Sequence, residues 1–331
     1  MEQHIIAAIL VSAIAFFTVF FLTPFLIKYL ENRSSTVKDY HRKGGAMVAR
    51  PGGPSLIAGI LISGTILYAL SPMTEIIAIL ITTTLAFFVG LVDDKKVMGG
   101  WFKPLALAAA AIPILLLGSY DSDLAFPIFG EVKIPLLYMG LVIIMIPITG
   151  NTINSIDVLN GVASGFMVIA GSALTISLVI LQNYEIAMVS LILVFVSLAF
   201  YKYHKFPCKI FPGDSGALTL GGMYGAIAIV GQVEVIAAIA LGPAIFNSFL
   251  FLSSMKRIVE HREIKEKPVE LTEEFKLKAT SNKKASITLV RLILAGGKPL
   301  TEKEIGYIIF KLTIFSGVLA VITAFMMEVS L

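Results

Sequence analysis

Apolar runs of about twenty residues, the length needed to cross about 30 Å of hydrocarbon as a helix, recur along this 331-residue chain. They constrain its fold more than any motif. Ten such stretches read as candidate spans: 5–30, 52–71, 75–92, 103–119, 135–150, 162–181, 186–201, 215–231, 234–254 and 304–328. Charged residues make up 15% of the chain, where a soluble protein carries about 25%, and 57% of its residues are hydrophobic. The class that follows is an all-α, polytopic membrane protein, a single domain over 1–331 with one long loop, 255–303, inside it. The first run is too long for a signal-peptide core and lacks a cleavage pattern, so it reads as a retained span.

Charge orients these spans. Only Lys133 of the 26 Lys and Arg falls in an even-numbered loop, the 120–134 segment. The basic loops at 31–51, 93–103, 202–214 and 255–303 are therefore expected on the cytoplasmic side, with both termini outside. The basic balance is a topology signal, and no nucleic-acid partner is expected from it. The single cysteine, Cys208, excludes an internal disulfide framework. The segment "YDSDLAFPIFGEVKIP" alternates around a glycine and suits a small hairpin or an ordinary connecting loop.

The positive-inside rule does not explain acids at membrane depth, which default to function. Four loops on the same expected side of the membrane place carboxylates close to a helix end: Asp39, Asp93 with Asp94, Asp157, and Asp214. Singly, Asp157 or Asn160 could cap the helix beginning near Val162, and Asp214 the next-but-one. Together, on one membrane face, they point to a shared site. Hard oxygen ligands without His or Cys clusters favour Mg²⁺, or Mn²⁺, over zinc. Lys103, Arg42, Lys43 and Arg262 are cations suited to a diphosphate, and the small residues in "RPGG", "NG" and "PGDSG" would let backbone amides approach phosphate. No Walker loop or dinucleotide fingerprint is present. The reading is a metal-dependent enzyme acting on a phosphorylated donor at the cytoplasmic membrane face.

The runs "GLVDDKK", "NTINSIDVLNGVASG" and "FPGDSGALTLGG", with "KDYHRK" and "RPGG" in the first loop, resemble the polyprenyl-phosphate N-acetylhexosamine-1-phosphate transferases. "WFK", "VEHREIKEKPVELTE" and "ASITLVRLILAGGKPLTE" are most similar to the eukaryotic and archaeal branch that uses UDP-N-acetylglucosamine and dolichyl phosphate. Two residues depart from that branch: Asp157, where its eukaryotic members are apolar, and Glu260, where it usually has Arg.

The resemblance implies ten spans, a cytoplasmic active site, and Asn154 and Asp214 as Mg²⁺ contacts, with Lys103 on the diphosphate. It places Asn160 and Gly161 near uracil and His261 and Arg262 near the sugar or its phosphate. Asn151, Asp157, Asp39 and one of Arg42 or Lys43 complete the expected substrate-binding set. One of Asp93 and Asp94 is expected to act as base or orienting group, the other as support. The implied partners are a UDP-sugar and a polyprenyl phosphate in the bilayer, with a homodimer left open. The membrane is the cell membrane, or the endoplasmic reticulum in a eukaryote. The implied reaction moves N-acetylglucosamine-1-phosphate to the lipid. Alternatives are a bacterial-type undecaprenyl-phosphate transferase and, from another class, a secondary transporter of an anionic solute.

Overall fold

The computed structural model describes residues 2–42, 44–96, 98–256 and 266–330. Helix α1 (Glu2–Asn32) leads into a hairpin of β1 (Thr36–Lys38) and β2 (Met47–Ala49), followed by α2 (Gly53–Leu70) and α3 (Thr74–Lys95). Two short helices, α4 (Phe102–Ala110) and α5 (Ile112–Leu116), precede a second hairpin, β3 (Asp123–Phe126) with β4 (Gly130–Lys133). Helices α6 (Pro135–Ile156), α7 (Val162–Ile180), α8 (Tyr184–His204) and α9 (Gly213–Val230) follow. Then come α10 (Glu234–Ala240), α11 (Gly242–Met255), a third hairpin of β5 (Val269–Leu271) and β6 (Leu277–Ala279), α12 (Leu289–Ile293) and α13 (Glu302–Ser330).

All ten apolar stretches are helical, and among the described residues seven helices are long and apolar enough to cross a membrane. The α10–α11 pair, bent by 74°, makes an eighth if counted as one span. The sequence reading treated 234–254 as continuous; Pro243, in the first turn of α11, cannot donate the amide that would carry α10 onward. Pro113 likewise divides α4 from α5. The hairpin suited to 120–134 is present, with Asp123 opposite Lys133. The other two hairpins have three-residue strands, below what alternation reveals. Helix α6 continues six residues past the expected end at 150, so Asn151 and Asn154 stand on its last turns instead of in a loop.

Helix α9 is the centre of the molecule: all of its residues are buried, with α3 and α6 against it. Its sequence, "GDSGALTLGGMYGAIAIV", explains this position. Lipid supplies little hydrophobic drive between helices, so close approach of backbones through small residues does much of the packing. A Cβ on Gly221 would lie 2.5 Å from the Thr149 carbonyl oxygen of α6. From the other side, a Cβ on Gly90 of α3 would lie 2.5 Å from the Asp214 carbonyl oxygen and 2.5 Å from the Ser215 Cα. The obstacle at Gly90 is backbone and cannot rotate away. Gly90→Ala is therefore expected to force α3 and α9 apart and cost about 1–3 kcal/mol. A lowered midpoint of thermal unfolding in detergent checks this; an unchanged midpoint would mean the two helices have slack at this crossing.

Candidate active site

Three local structures bring the site together. Helix α3 carries Asp93 and Asp94 on its last turn, and α4 carries Lys103 on its first. The segment after β2 runs beside the approach to α9: Phe211 N donates to Ala49 O at 2.9 Å, and Gly52 N donates to Phe211 O at 2.8 Å. This pairing sets Arg50 against the first turn of α9, where Asp214 lies. Gly213 holds φ +71°, a region that favours glycine, and a Cβ there would meet both Asp94 carboxylate oxygens at 2.8 Å. Without it, Asp94 reaches under the helix start and accepts from Asp214 N at 3.0 Å and Ser215 N at 2.8 Å. Such amides at a helix N-terminus have no partner within the helix and carry its positive end.

Asp214 is the hub. Lys103 Nζ stands 2.7 Å from its Oδ1, Arg50 Nη2 is 2.6 Å from its Oδ2, and Asn154 Nδ2 donates to Oδ1 at 3.1 Å. Lys103 also pairs with Asp93 Oδ2 at 3.0 Å, and Arg50 with Asp94 Oδ1 at 3.0 Å. Asp93 Oδ1 accepts from Met98 N at 2.9 Å. Asp93, Lys103 and Asp214 are buried. Burial alone would lower the pKa of Arg50, but Asp94 and Asp214 outweigh it and hold the guanidinium above its ordinary value. The structure thus brings together Asp93, Asp94, Lys103, Asn154 and Asp214, and adds Arg50.

A second cluster lies around Asn160. Its side-chain nitrogen donates to Asp39 Oδ2 at 3.1 Å and Glu302 Oε2 at 3.0 Å, and its backbone N to Glu302 Oε1 at 2.5 Å. His41 donates its backbone N to Asp39 Oδ1 at 3.1 Å and places Nδ1 3.5 Å from Glu302 Oε1. Burial lowers the His41 pKa, but the Glu302 hydrogen bond and the charges of Glu302 and Asp39 raise it overall. Asp157 lies 3.6 Å from His204 Nε2, and the position before α7 is taken by Gly161, with no side chain capping the helix. Burial pushes the Asp157 carboxyl up to about 7; Arg50 and the Ala163 amide pull it down, and Asp214 and Asp94 push it up. Gly161 begins α7 with φ +81°. Asn151 bonds back to Pro147 O at 2.8 Å, and Arg42 Nη1 donates to Cys208 O at 3.3 Å. Lys43, His261 and Arg262 lie outside the described residues.

One expectation is corrected. Six amides of the small-residue loops are already taken by protein acceptors: Gly52 and Gly53 by the carbonyls of Phe211 and Pro212, Asp214 and Ser215 by Asp94, Gly216 by Pro212 and Asn160 by Glu302. They are no phosphate cradle. Asn154 stands beside Asp214, as a shared metal contact would need, with its amide nitrogen donating to that carboxylate. Its oxygen, the end a cation needs, comes round only by a half-turn of the amide.

The donors in the first cluster fit Mg²⁺. They are hard oxygens, three carboxylates against two cations leave net negative charge, and buried Asp93 Oδ2 makes no hydrogen bond despite the nearby Lys103. Asp39, His41 and Glu302 also place ligand atoms within 4.8 Å of one another, the one such group of His, Cys and carboxylates among the described residues. Their oxygens, however, already accept from Asn160 and His41.

Beside the first cluster opens a cavity of about 410 Å³ between α4, α6 and α11. Its walls are mostly apolar, with Ile148, Ile245, Phe249 and Leu252, and Lys103 and Asn154 stand at its polar end. Sequence alone did not say which helices line a lipid groove, and it missed Arg50, His41 and Glu302. The signal for Arg50 was the "RPGG" run, read for its glycines.

The profile of glycosyl transferase family 4 matches residues 76–232. A Saccharolobus solfataricus protein assigned as UDP-N-acetylglucosamine–dolichyl-phosphate N-acetylglucosaminephosphotransferase is 28% identical over 255 residues, 76% of this chain and 79% of its own. A Bacillus subtilis protein assigned as undecaprenyl-phosphate N-acetylglucosaminyl 1-phosphate transferase is 27% identical over 276 residues, 80% of this chain and 75% of its own. The phospho-N-acetylmuramoyl-pentapeptide-transferase of Staphylococcus haemolyticus is 27% identical over 245 residues, 67% and 75% of the two chains. The matched segment starts in α3 and ends beyond α9, so the part of the chain similar to glycosyl transferase family 4 holds every member of the first cluster except Arg50.

Proposed function

We propose that this chain transfers N-acetylglucosamine-1-phosphate from UDP-N-acetylglucosamine to a dolichyl-type polyprenyl phosphate, releasing UMP and leaving a lipid diphosphate-linked sugar. The observation that carries the reading is the meeting of the Asp93–Lys103–Asp214 ion cluster with the apolar cavity, since Lys103 belongs to both. An acceptor whose tail stays in the bilayer and whose reacting end is a phosphate needs that junction. The archaeal relatives, assigned to this reaction, support the choice of donor and acceptor. The ten helical segments and the basic loops support ten crossings, both termini outside and the site on the cytoplasmic face. The bacterial relatives favour a second reading in which the acceptor is undecaprenyl phosphate.

In the reaction, an oxygen of the lipid phosphate attacks the β-phosphorus of the donor. The bond from that phosphorus to the bridging oxygen breaks, and UMP leaves with the oxygen. Phosphoryl transfer asks chiefly for positioning and charge neutralisation. Lys103, buried at the mouth of the cavity, neutralises the diphosphate. Asp94 is committed to the amides of Asp214 and Ser215 and to Arg50, which makes it the support of the pair. Asp93, whose Oδ2 faces Lys103 without a hydrogen bond, orients the attacking phosphate or takes its proton. Asp214, Asn154 through its oxygen, and Asp93 would hold Mg²⁺, which supplies charge neutralisation across donor oxygens.

Lys103→Ala is expected to lower kcat for UMP release at least about 100-fold, the scale of losing one donor aimed at developing charge. Purified protein with UDP-N-acetylglucosamine, Mg²⁺ and dolichyl phosphate provides the assay. Absence of UMP with any polyprenyl phosphate, from folded protein, would sink the proposal. Ser248→Trp, which narrows the cavity, is expected to raise KM for the lipid about tenfold with KM for the UDP-sugar unchanged. Equal effects on both would remove the lipid from this cavity.

A further inference from the structure

Arg50 is held as an arm with a fixed shoulder and a lightly committed hand. Its backbone N donates to Ser35 O at 3.1 Å, and its carbonyl accepts from Ser35 Oγ at 2.6 Å. At the other end, Nη2 alone makes both ion pairs, to Asp214 Oδ2 at 2.6 Å and Asp94 Oδ1 at 3.0 Å. Among the described residues, Nε and Nη1 make no hydrogen bond, so most of the five N–H donors of the fork are uncommitted. The side chain is 27% exposed, whereas Asp94 and Asp214 are 3% and 4% exposed. Asp94 does not need Arg50 to be satisfied, because it already accepts from two α9 amides. Asp214 is different: both of its oxygens face a cation, Lys103 on Oδ1 and Arg50 on Oδ2.

We propose that Arg50 is a further anion-binding residue of the site, and that it contends with the divalent cation for Asp214 until a diphosphate draws it away. This rests on the reading of the donor as a nucleoside diphosphate sugar. A metal ion arriving alone must displace a guanidinium from a buried carboxylate, leaving that guanidinium without its partner. A diphosphate offers the fork two adjacent oxygens, the geometry guanidinium pairs with best. Once Arg50 turns to the phosphates, its own hold on Asp214 Oδ2 is released. Metal and anion then bind cooperatively, and linkage makes the effect reciprocal: each tightens the other by the same factor. Lys103 lacks this freedom, because its buried ammonium bridges Asp93 and Asp214.

The test is Mn²⁺ binding followed by electron paramagnetic resonance on the purified full chain, with and without UDP, corrected for Mn²⁺–UDP complex measured in buffer. Without nucleotide, Arg50→Gln is expected to bind Mn²⁺ about tenfold tighter than the wild type, within the ordinary range of coupling between sites. UDP should tighten Mn²⁺ binding to the wild type by a similar factor and to Arg50→Gln by little. Arg50→Lys keeps a cation on Asp214 and should bind Mn²⁺ alone within about threefold of the wild type, but with weaker coupling to UDP, because an ammonium is a point charge without the fork. Equal Mn²⁺ affinity in wild type and Arg50→Gln, or UDP coupling undiminished in Arg50→Gln, overturns the inference. So does a folded wild type that binds no Mn²⁺ under either condition. Failure of the functional reading would look different. In that case UDP would not bind and UMP would not be released, while the nucleotide-free comparison of wild type and Arg50→Gln would still decide the contention for Asp214.

Discussion

The interaction on which the site depends is the paired ionisation of Asp214 by Lys103 and Arg50. Three aspartates meet where α3 crosses the start of α9, a place buried enough that like charges repel strongly. The crossing is close because Gly90 and Gly213 have no side chains, so packing itself creates the electrostatic problem. The cations that solve it come from elsewhere: Lys103 from α4 and Arg50 from the strand-like segment after β2. Removing one partner of a buried pair costs about 3–5 kcal/mol, since the other charge is left uncompensated. The helix crossing and α4 are therefore mutually required, while Arg50, 27% exposed, is the looser tie. The N-terminus of α9 adds two amides on Asp94, a fixed contribution that does not depend on either cation.

This dependence explains what was readable in the chain. Asp93, Asp94, Asn154 and Asp214 stand out because each ends an apolar run, where a polar group has to be accounted for. Lys103 follows the same logic at the start of the next run. Arg50 does not, because it sits in a loop already rich in cations, and only the pairing of residues 49–52 with 210–212 brings it to Asp214. Glu302 begins α13, where an acid is favourable by the helix dipole alone and asks for no further explanation. The helix boundaries that moved did so for similar reasons. Hydropathy treats "NTINSI" as a departure from the membrane, yet its backbone continues the helix and only its side chains change character. The Gly242–Pro243 break was present in the sequence, but averaging over 234–254 hid it.

The bend at that break shapes the cavity. Helix α11 leaves the direction of α10 and comes to rest on the last turn of α6 through a polar seam. Asn247 Nδ2 donates to the Ser155 carbonyl at 3.1 Å, and Ser155 and Ser248 share a hydrogen bond at 2.7 Å. Asn247 Oδ1 also accepts from Leu289 N at 2.8 Å, which ties the start of α12 to the same point. Ser155 follows Asn154 directly, so the wall of the cavity and the amide beside Asp214 are positioned by one set of contacts. A polar seam between two helices at membrane depth is costly unless every member is paired. Here that cost fixes the distance between an apolar chamber and an ionic one.

Lys103 stands where the two chambers join, and its position limits how a reaction there can run. It is buried, it bridges Asp93 and Asp214, and it lines the cavity. In the proposed reaction, a lipid phosphate entering through the cavity meets this ammonium before the aspartates, none of which lines the cavity, so repulsion from three carboxylates is screened at the point of approach. The nucleotide of that reaction, too polar for the apolar wall, comes from the side on which Arg50 is exposed. On the proposed reaction, acceptor and donor thus arrive from different sides, each with its own cation, and Asp214 is shared between those cations. That division assigns a separate task to two basic residues that, by charge alone, look interchangeable.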